Sequence, residues 1–501
     1  MRRKVRRKAF SRSGLMKALS AGAKQLASQM PLSATEQLVV DERLPLEKAF
    51  LLKLKHLESL MPEERPELVS SATGKIDKVL MSYNLGGGGA DEYNYAEKLE
   101  ELMDKLPDTQ FVLFGVDPRT NKRLVAKTRE KFLDIDNRKS ESDKLMVIHA
   151  TDFSDFGIWM QDPFLVFKDK ESLYLTEPLN FKGSPLEEVG EEKIAEIVAE
   201  RLTAEEAFGM KVKQCKVPFY FEGGNILADD NFILIGKDHY QPHRELLNQV
   251  DNFLLRIVAK LSQGRAGVCF NNVDRKCLIM HLLQRAFGPD KTVIILGNGF
   301  PRAYYKQKIK IWSDERMNVF STQTQFQPLA HIDLFMTLAG KDKEGRYVIL
   351  IADPELPQFE QDENLRVDFL LPIKSKLDEI ELLLQNKTYI SKNGEETFFR
   401  IVRNRMPFVS RDLNGGTREW YPLYYNNCLV EVTDKSRKVW YPTYLPVAGQ
   451  DWPFLESYNE YYEKLWKETL AFDEVYPLSN YFNLAKAKGA LHCIVKVLNR
   501  I

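Results

Sequence analysis

Short apolar runs recur along this chain, separated by stretches in which apolar residues return every three or four positions. Lys78-Val79-Leu80-Met81-Ser82-Tyr83, Gln110-Phe111-Val112-Leu113-Phe114 and Met146-Val147-Ile148-His149 have the length and side chains of strands. Phe232-Ile233-Leu234-Ile235, Val293-Ile294-Ile295-Leu296 and Tyr347-Val348-Ile349-Leu350-Ile351 repeat the pattern. Helical spacing falls near residues 93–106, 187–202, 243–262, 274–286 and 376–385. Strands and helices mixed throughout predict an α/β class. No exact internal repeat is visible. The acidic, Lys-rich stretch from Asp353 to Glu396 reads as an insertion or long excursion, and Leu413 to Arg418 as a turn-rich loop. Gly86 to Gly89 reads as a flexible turn, because no Lys-Ser/Thr follows and no spaced glycine frame surrounds it.

A length of 501 residues is enough for one large core or two. Lys+Arg and Asp+Glu both total 71, so no global attraction to nucleic acid or anionic lipid is expected. No run of about 18 apolar residues is present, and no membrane span is predicted. The neutrality hides an asymmetry, since Arg2, Arg3, Lys4, Arg6, Arg7, Lys8 and Arg12 crowd the N-terminus and the first acid is Glu36. Such an arm reads as a targeting segment, a nuclear signal, an anion-binding tail or a plain solvated tail. Its charge would draw an acidic partner or a transport receptor. Five cysteines, odd in number and without paired spacing, fit free thiols in a reducing, cytoplasmic compartment. With neither a CxxC pair nor an HExxH, no metal and no cofactor is expected.

Four dispersed stretches carry the candidate chemistry: Trp159-Met160-Gln161-Asp162, Phe221-Glu222-Gly223-Gly224-Asn225, His331-Ile332-Asp333 and Gly489-Ala490-Leu491-His492-Cys493. Taken singly, each has a structural explanation: a buried cysteine, a paired histidine, a turn. Strand alternation over His331 to Met336 would place His331 and Asp333 on one face, opposite Ile332 and Leu334. Two glycines following a strand would let the backbone pass close to a ligand beside Glu222. Asp162 stands among large apolar residues, where a carboxylate needs a cationic partner. A thiol, an imidazole and three carboxylates suit nucleophilic attack on a cationic carbon.

Taken in order, Trp-x-Gln-Asp, Glu-Gly-Gly-Asn, His-x-Asp-x-Phe and a late His-Cys resemble the guanidine-modifying superfamily, with peptidylarginine and agmatine deiminases the nearest in pattern. The resemblance covers residues 75–501, with 1–74 as arm and lead-in. It implies a five-bladed α/β propeller of ββαβ-like units with its site on the central axis. It also implies Cys493 as nucleophile, His331 as general acid/base, and Asp162 and Asp333 gripping the guanidinium nitrogens. Glu222 would orient His331 or line the site, Trp159 would flank the substrate, and Gly224, Asn225 and Asn427 would contact it. Agmatine, arginine and peptidylarginine all remain open as substrates. Pro163 and Leu165 stand where calcium-dependent relatives carry acids, and Val495 where Thr is usual. Hydrolysis and amidino transfer share the same intermediate. A papain-like hydrolase would need its Cys early and its His late, the reverse of this order. A non-catalytic binding protein on the same fold is the third reading.

Overall fold

The computed structural model describes residues 66–82, 95–116, 144–150, 157–178, 193–216, 221–236, 291–296, 331–357, 366, 370–391, 393–413, 417–445, 452 and 454–501. Among them stand five small sheets of mixed direction, and the architecture is α/β as the periodicity indicates. Each sheet repeats one motif: a first strand pairs antiparallel with a second, and the second pairs parallel with a third. In one sheet these strands are Leu165–Lys168, Ser172–Glu177 and Lys211–Lys216. The next uses Ile226–Ala228, Phe232–Gly236 and Thr292–Leu296. Then come Met336–Lys341, Tyr347–Glu355 and Glu396–Leu413, followed by Leu429–Val432, Arg437–Pro442 and Glu474–Leu478. In the fifth, Val495–Arg500 supplies the first strand and Ile76–Ser82 the second, with Gln110–Val116 parallel to it and Leu145–Ala150 parallel beyond.

A parallel step needs a crossover, and helices supply it where the chain is described. Tyr95–Lys105, Ile194–Thr203, Leu371–Gln385 and Phe454–Lys464 each lie between the two parallel strands of a sheet. Ile194, Ala195, Val198, Ala199 and Leu202 form the buried stripe of the second of these. The segment from Asp353 to Glu396 is therefore no insertion: it holds the crossover helix Leu371–Gln385 of the third sheet. The stretches 243–262, 274–286 and Gly86 to Gly89 lie outside the described residues.

Near-continuous apolar runs arise where both faces of a sheet are covered. Val79, Met81, Phe111, Leu113, Leu145 and Val147 enter the larger core, while the alternate residues Leu80, Val112, Phe114, Met146 and Ile148 enter a second core beneath Ile194–Thr203. Residues 66–74, read from sequence with the arm, join the fold: Glu67–Leu68 adds an edge strand to Leu165–Lys168, and Ser70 Oγ donates to Asp229 Oδ1 at 2.8 Å. No helix of the described residues is long and apolar enough to cross a membrane.

Candidate active site

The five sheets share more than topology. In each, the segment just ahead of the first strand carries polar residues of the motifs. Trp159 to Asp162 precedes Leu165–Lys168, Glu222 to Asn225 precedes Ile226–Ala228, and His331 to Asp333 precedes Met336–Lys341. Tyr425 to Asn427 precedes Leu429–Val432, and the four-residue helix Leu491–Ile494 brings Cys493 ahead of Val495–Arg500. Sequence spacing hides this regularity because the crossovers differ in length.

Hydrogen bonds link these segments in a ring. Gln161 N donates to Cys493 O at 3.1 Å and Gly223 N to Asp162 O at 3.2 Å. Ile332 N donates to Asn225 Oδ1 at 3.1 Å, and Asn427 Nδ2 to Asp333 O at 3.2 Å. Cys493 N donates to Asn427 Oδ1 at 3.2 Å, which returns to the starting segment. Each bond fixes one polar segment against the next, so side chains from five sheets meet with little freedom.

His331 is flanked by two acids: Nε2 lies 2.5 Å from Glu222 Oε2 and Nδ1 3.5 Å from Asp162 Oδ1. Asp162 Oδ1 also accepts from Gly224 N at 2.8 Å. Asp333 Oδ2 meets His492 Nδ1 at 2.8 Å and Cys493 Sγ at 3.7 Å, while its buried Oδ1 has no hydrogen-bond partner among the described residues. Asn427 Nδ2 donates to the same sulfur at 3.2 Å. A Cβ on Gly224 would lie 2.8 Å from His331 Nδ1, 3.0 Å from Asp162 Oδ1 and 3.1 Å from Asp333 Oδ2. The three groups converge on a backbone position that tolerates no side chain. Trp159 packs on the turn before the thiol, where a Cβ on Gly489 would come 2.3 Å from its ring.

One local expectation is corrected. His331 and Asp333 do not alternate along a strand; Ile332–Leu334 is a 3-10 turn and the strand begins at Met336. Asp333 is buried by the turn rather than by the sheet. The glycine pair lies within the 3-10 turn Gly223–Asn225, after the strand Lys211–Lys216 and directly ahead of Ile226–Ala228. Tight turns bring near neighbours in sequence to one side as strand alternation would, which is why the functional grouping survives.

The charges act on one another. Burial drives the Asp162 carboxyl up, the His331 charge opposes this, and Glu222 and Asp333 add to it, leaving it at about 6. Burial alone would depress His331, but Asp162 and Glu222 raise it to about 10, so the imidazole is protonated at neutral pH. The Cys493 thiol is pushed well up, first by burial and then by Asp333 and Asp162. Its thiolate needs a cation nearby. Among the described residues no group of three or more His, Cys, Asp or Glu is arranged to hold a metal ion. Cys215, Cys428 and Cys493 are free thiols.

Two residues of the site escaped sequence reasoning. His492 holds Asp333, and the adjacent His-Cys pair was its only signal. Lys496, a single charge between the buried Val495 and Leu498, lies behind Gly223, where a Cβ would come 2.8 Å from its Nζ.

No family model matches the chain, and no curated protein does. Solved structures are similar in chain path. A Porphyromonas gingivalis protein provisionally described as an arginine deiminase has TM-score 0.47 at 15% identity, covering 86% of this chain and 98% of its own. A Pseudomonas aeruginosa dimethylarginine dimethylaminohydrolase bound to citrulline has TM-score 0.32 at 13% identity, covering 84% and 98%. Both names fall in the guanidine-modifying class that the motifs resemble. At these scores and identities, what the site can do rests on its own side chains.

Proposed function

We propose that this chain hydrolyses a guanidinium group through a cysteine-bound intermediate. The observation that carries the reading is the convergence at Gly224 of His331, Asp162 and Asp333, with the Cys493 sulfur 3.7 Å from the last. Two carboxylates facing one point, Asp162 partly and Asp333 fully buried, the latter with an oxygen unpartnered among the described residues, suit a planar cation with several N–H donors. The ring of hydrogen bonds through five equivalent segments supports the further reading that the five sheets are blades of an α/β propeller around this site.

The residues account for each step. Guanidinium binds between Asp162 and Asp333, and its charge replaces the cation the thiol lacks. Cys493 releases its proton to solvent as the cation binds, and the thiolate attacks the central carbon, giving a tetrahedral adduct. His331, already protonated, gives its proton to the departing nitrogen, and ammonia leaves an S-alkylthiouronium. Neutral His331 then takes a proton from water, the hydroxide adds to the same carbon, and the new hydroxyl's proton passes to the departing sulfur, leaving a ureido product and the free thiol. Glu222, 2.5 Å from the ring, holds the imidazole in place through both transfers. The test is incubation with agmatine, arginine and an arginyl peptide, with ammonia and ureido product measured. Ureido product from one of the three is expected. None from any would refute hydrolysis, and an amidino group on an added amine would mark transfer instead.

A further inference from the structure

His492 has no part in the steps above, yet it is 7% exposed and stands next to the thiol. Its Nδ1 lies 2.8 Å from Asp333 Oδ2. A carboxylate oxygen only accepts, so Nδ1 bears the hydrogen. The His492 backbone N donates to Asn427 O at 3.3 Å, so the ring reaches Asp333 from a fixed base. Asp333 Oδ2 is also the oxygen that faces the site. It lies 3.1 Å from where a Cβ on Gly224 would stand, and the Cys493 thiol donates to it across 3.7 Å.

The backbone beneath Asp333 is fixed as well. Leu334 N donates to His331 O at 3.3 Å, Phe335 N to Ile332 O at 3.2 Å, and Asn427 Nδ2 to Asp333 O at 3.2 Å. None of these bonds sets the carboxylate, whose terminal torsion has only a broad preference. With Oδ1 unpartnered among the described residues, the thiol and His492 on Oδ2 are what orient the group. The reaction removes one of them. Once the thiol gives up its proton, thiolate and carboxylate face each other as like charges in a buried site, and their repulsion turns the carboxylate away.

We propose that His492 is the positioning residue of Asp333, its Nδ1–H pinning Oδ2 against substrate and sulfur after the thiol bond is gone. This rests on the guanidine reading of the site. The imidazole exchanges no proton with the substrate. Its N–H draws charge from the oxygen nearest the thiolate, and Oδ2 keeps a lone pair for a guanidinium N–H. The two histidines of the site thus divide the work: His331 moves protons, and His492 holds a carboxylate.

The experiment compares wild type with His492→Asn, His492→Gln and His492→Ala. Each is assayed for kcat/KM, per folded protein, on whichever of agmatine, arginine and an arginyl peptide the wild type hydrolyses. The amide nitrogen of Asn stands one bond past Cγ, as Nδ1 does, whereas that of Gln stands one bond further out. His492→Asn should stay within about threefold of wild type, while His492→Gln and His492→Ala each lose at least about tenfold. A histidine that only fills space predicts the reverse order, because Gln is nearer to it in volume. A Gln variant as active as the Asn variant, or more so, would overturn the proposal. A double-mutant cycle gives the second reading. In Asp333→Asn protein the charge that His492 holds is already gone, so adding His492→Ala should cost less than about threefold more. Losses that multiply in full would also overturn the proposal. A wild type that hydrolyses none of the three substrates overturns the guanidine reading, and this role with it. Turnover with the variants in the wrong order overturns the role alone.

Discussion

Two buried polar networks lie side by side in this molecule, and adjacent residues belong to each. Asn426 enters a neutral one: it exchanges amide bonds with Asn404 at 2.7 and 3.1 Å, and Thr337 Oγ1 donates to its carbonyl at 2.5 Å. Asn404 also donates to Tyr462 Oη, and Tyr425 stacks on that ring at 4.0 Å. Asn427, the next residue, faces the thiol, an aspartate and the charged groups beyond. The neutral network matches its amides to one another and holds sheets together. The charged one leaves Asp333 Oδ1 unpartnered among the described residues, sets two carboxylates against one histidine and keeps a thiol protonated. Buried polarity that satisfies itself is structural; buried polarity completed only by another molecule is a site.

The largest effect that sharpens this contrast is at the sulfur. Cys493→Ala should abolish turnover while Tm moves by only a few degrees; normal hydrolysis by the variant would remove the nucleophile assignment. Next come Asp162→Asn and Asp333→Asn, each expected to lower kcat/KM by at least about 100-fold, since an amide cannot balance a desolvated guanidinium. Losses under about tenfold would show that these carboxylates do not hold substrate.

The pH profile gives a smaller, signed effect. Asp162 is protonated below about 6, so kcat/KM should fall there by about tenfold per unit. Toward about 10, His331 loses the proton it gives the leaving nitrogen, and the rate should fall again. Asp333 raises Asp162, so Asp333→Asn should move the acid limb of its residual activity to lower pH; an unmoved limb would mean that Asp162 does not set it. Smallest is the comparison within the asparagine pair. Asn404→Ala should cost about 1–3 kcal/mol in urea unfolding with KM unchanged. Asn427→Ala should instead lower kcat/KM about tenfold, by releasing the sulfur. Equal stability losses with equal activity would erase the distinction between the networks.

Much of this was legible in residue types and their order. Strands such as Phe232–Gly236 and Tyr347–Glu355 stand out because both faces are buried and nearly every residue is apolar. The four motifs were visible because acids, histidine and cysteine are costly to bury idle. What sequence could not supply was geometry created by turns and by distant partners. The 3-10 turn at Ile332–Leu334 looks like the start of a strand, since Phe335 and Met336 continue the apolar run. Lys496 looks like an exposed strand residue until Gly223, far away in sequence, closes over it. The crossover helix Leu371–Gln385 passed for an excursion because Lys376, though buried, carries the composition of a surface.

One pairing has a consequence for folding. Val495–Arg500 lies against Ile76–Ser82, joining segments more than 400 residues apart, and the sulfur sits just ahead of that strand. Loops that long close late, because the chain entropy they cost is recovered only when the strands meet. During refolding the carboxylates and imidazole can assemble before the thiol arrives. Returning activity should therefore follow this long-range closure, whereas recovery of helical signal should not.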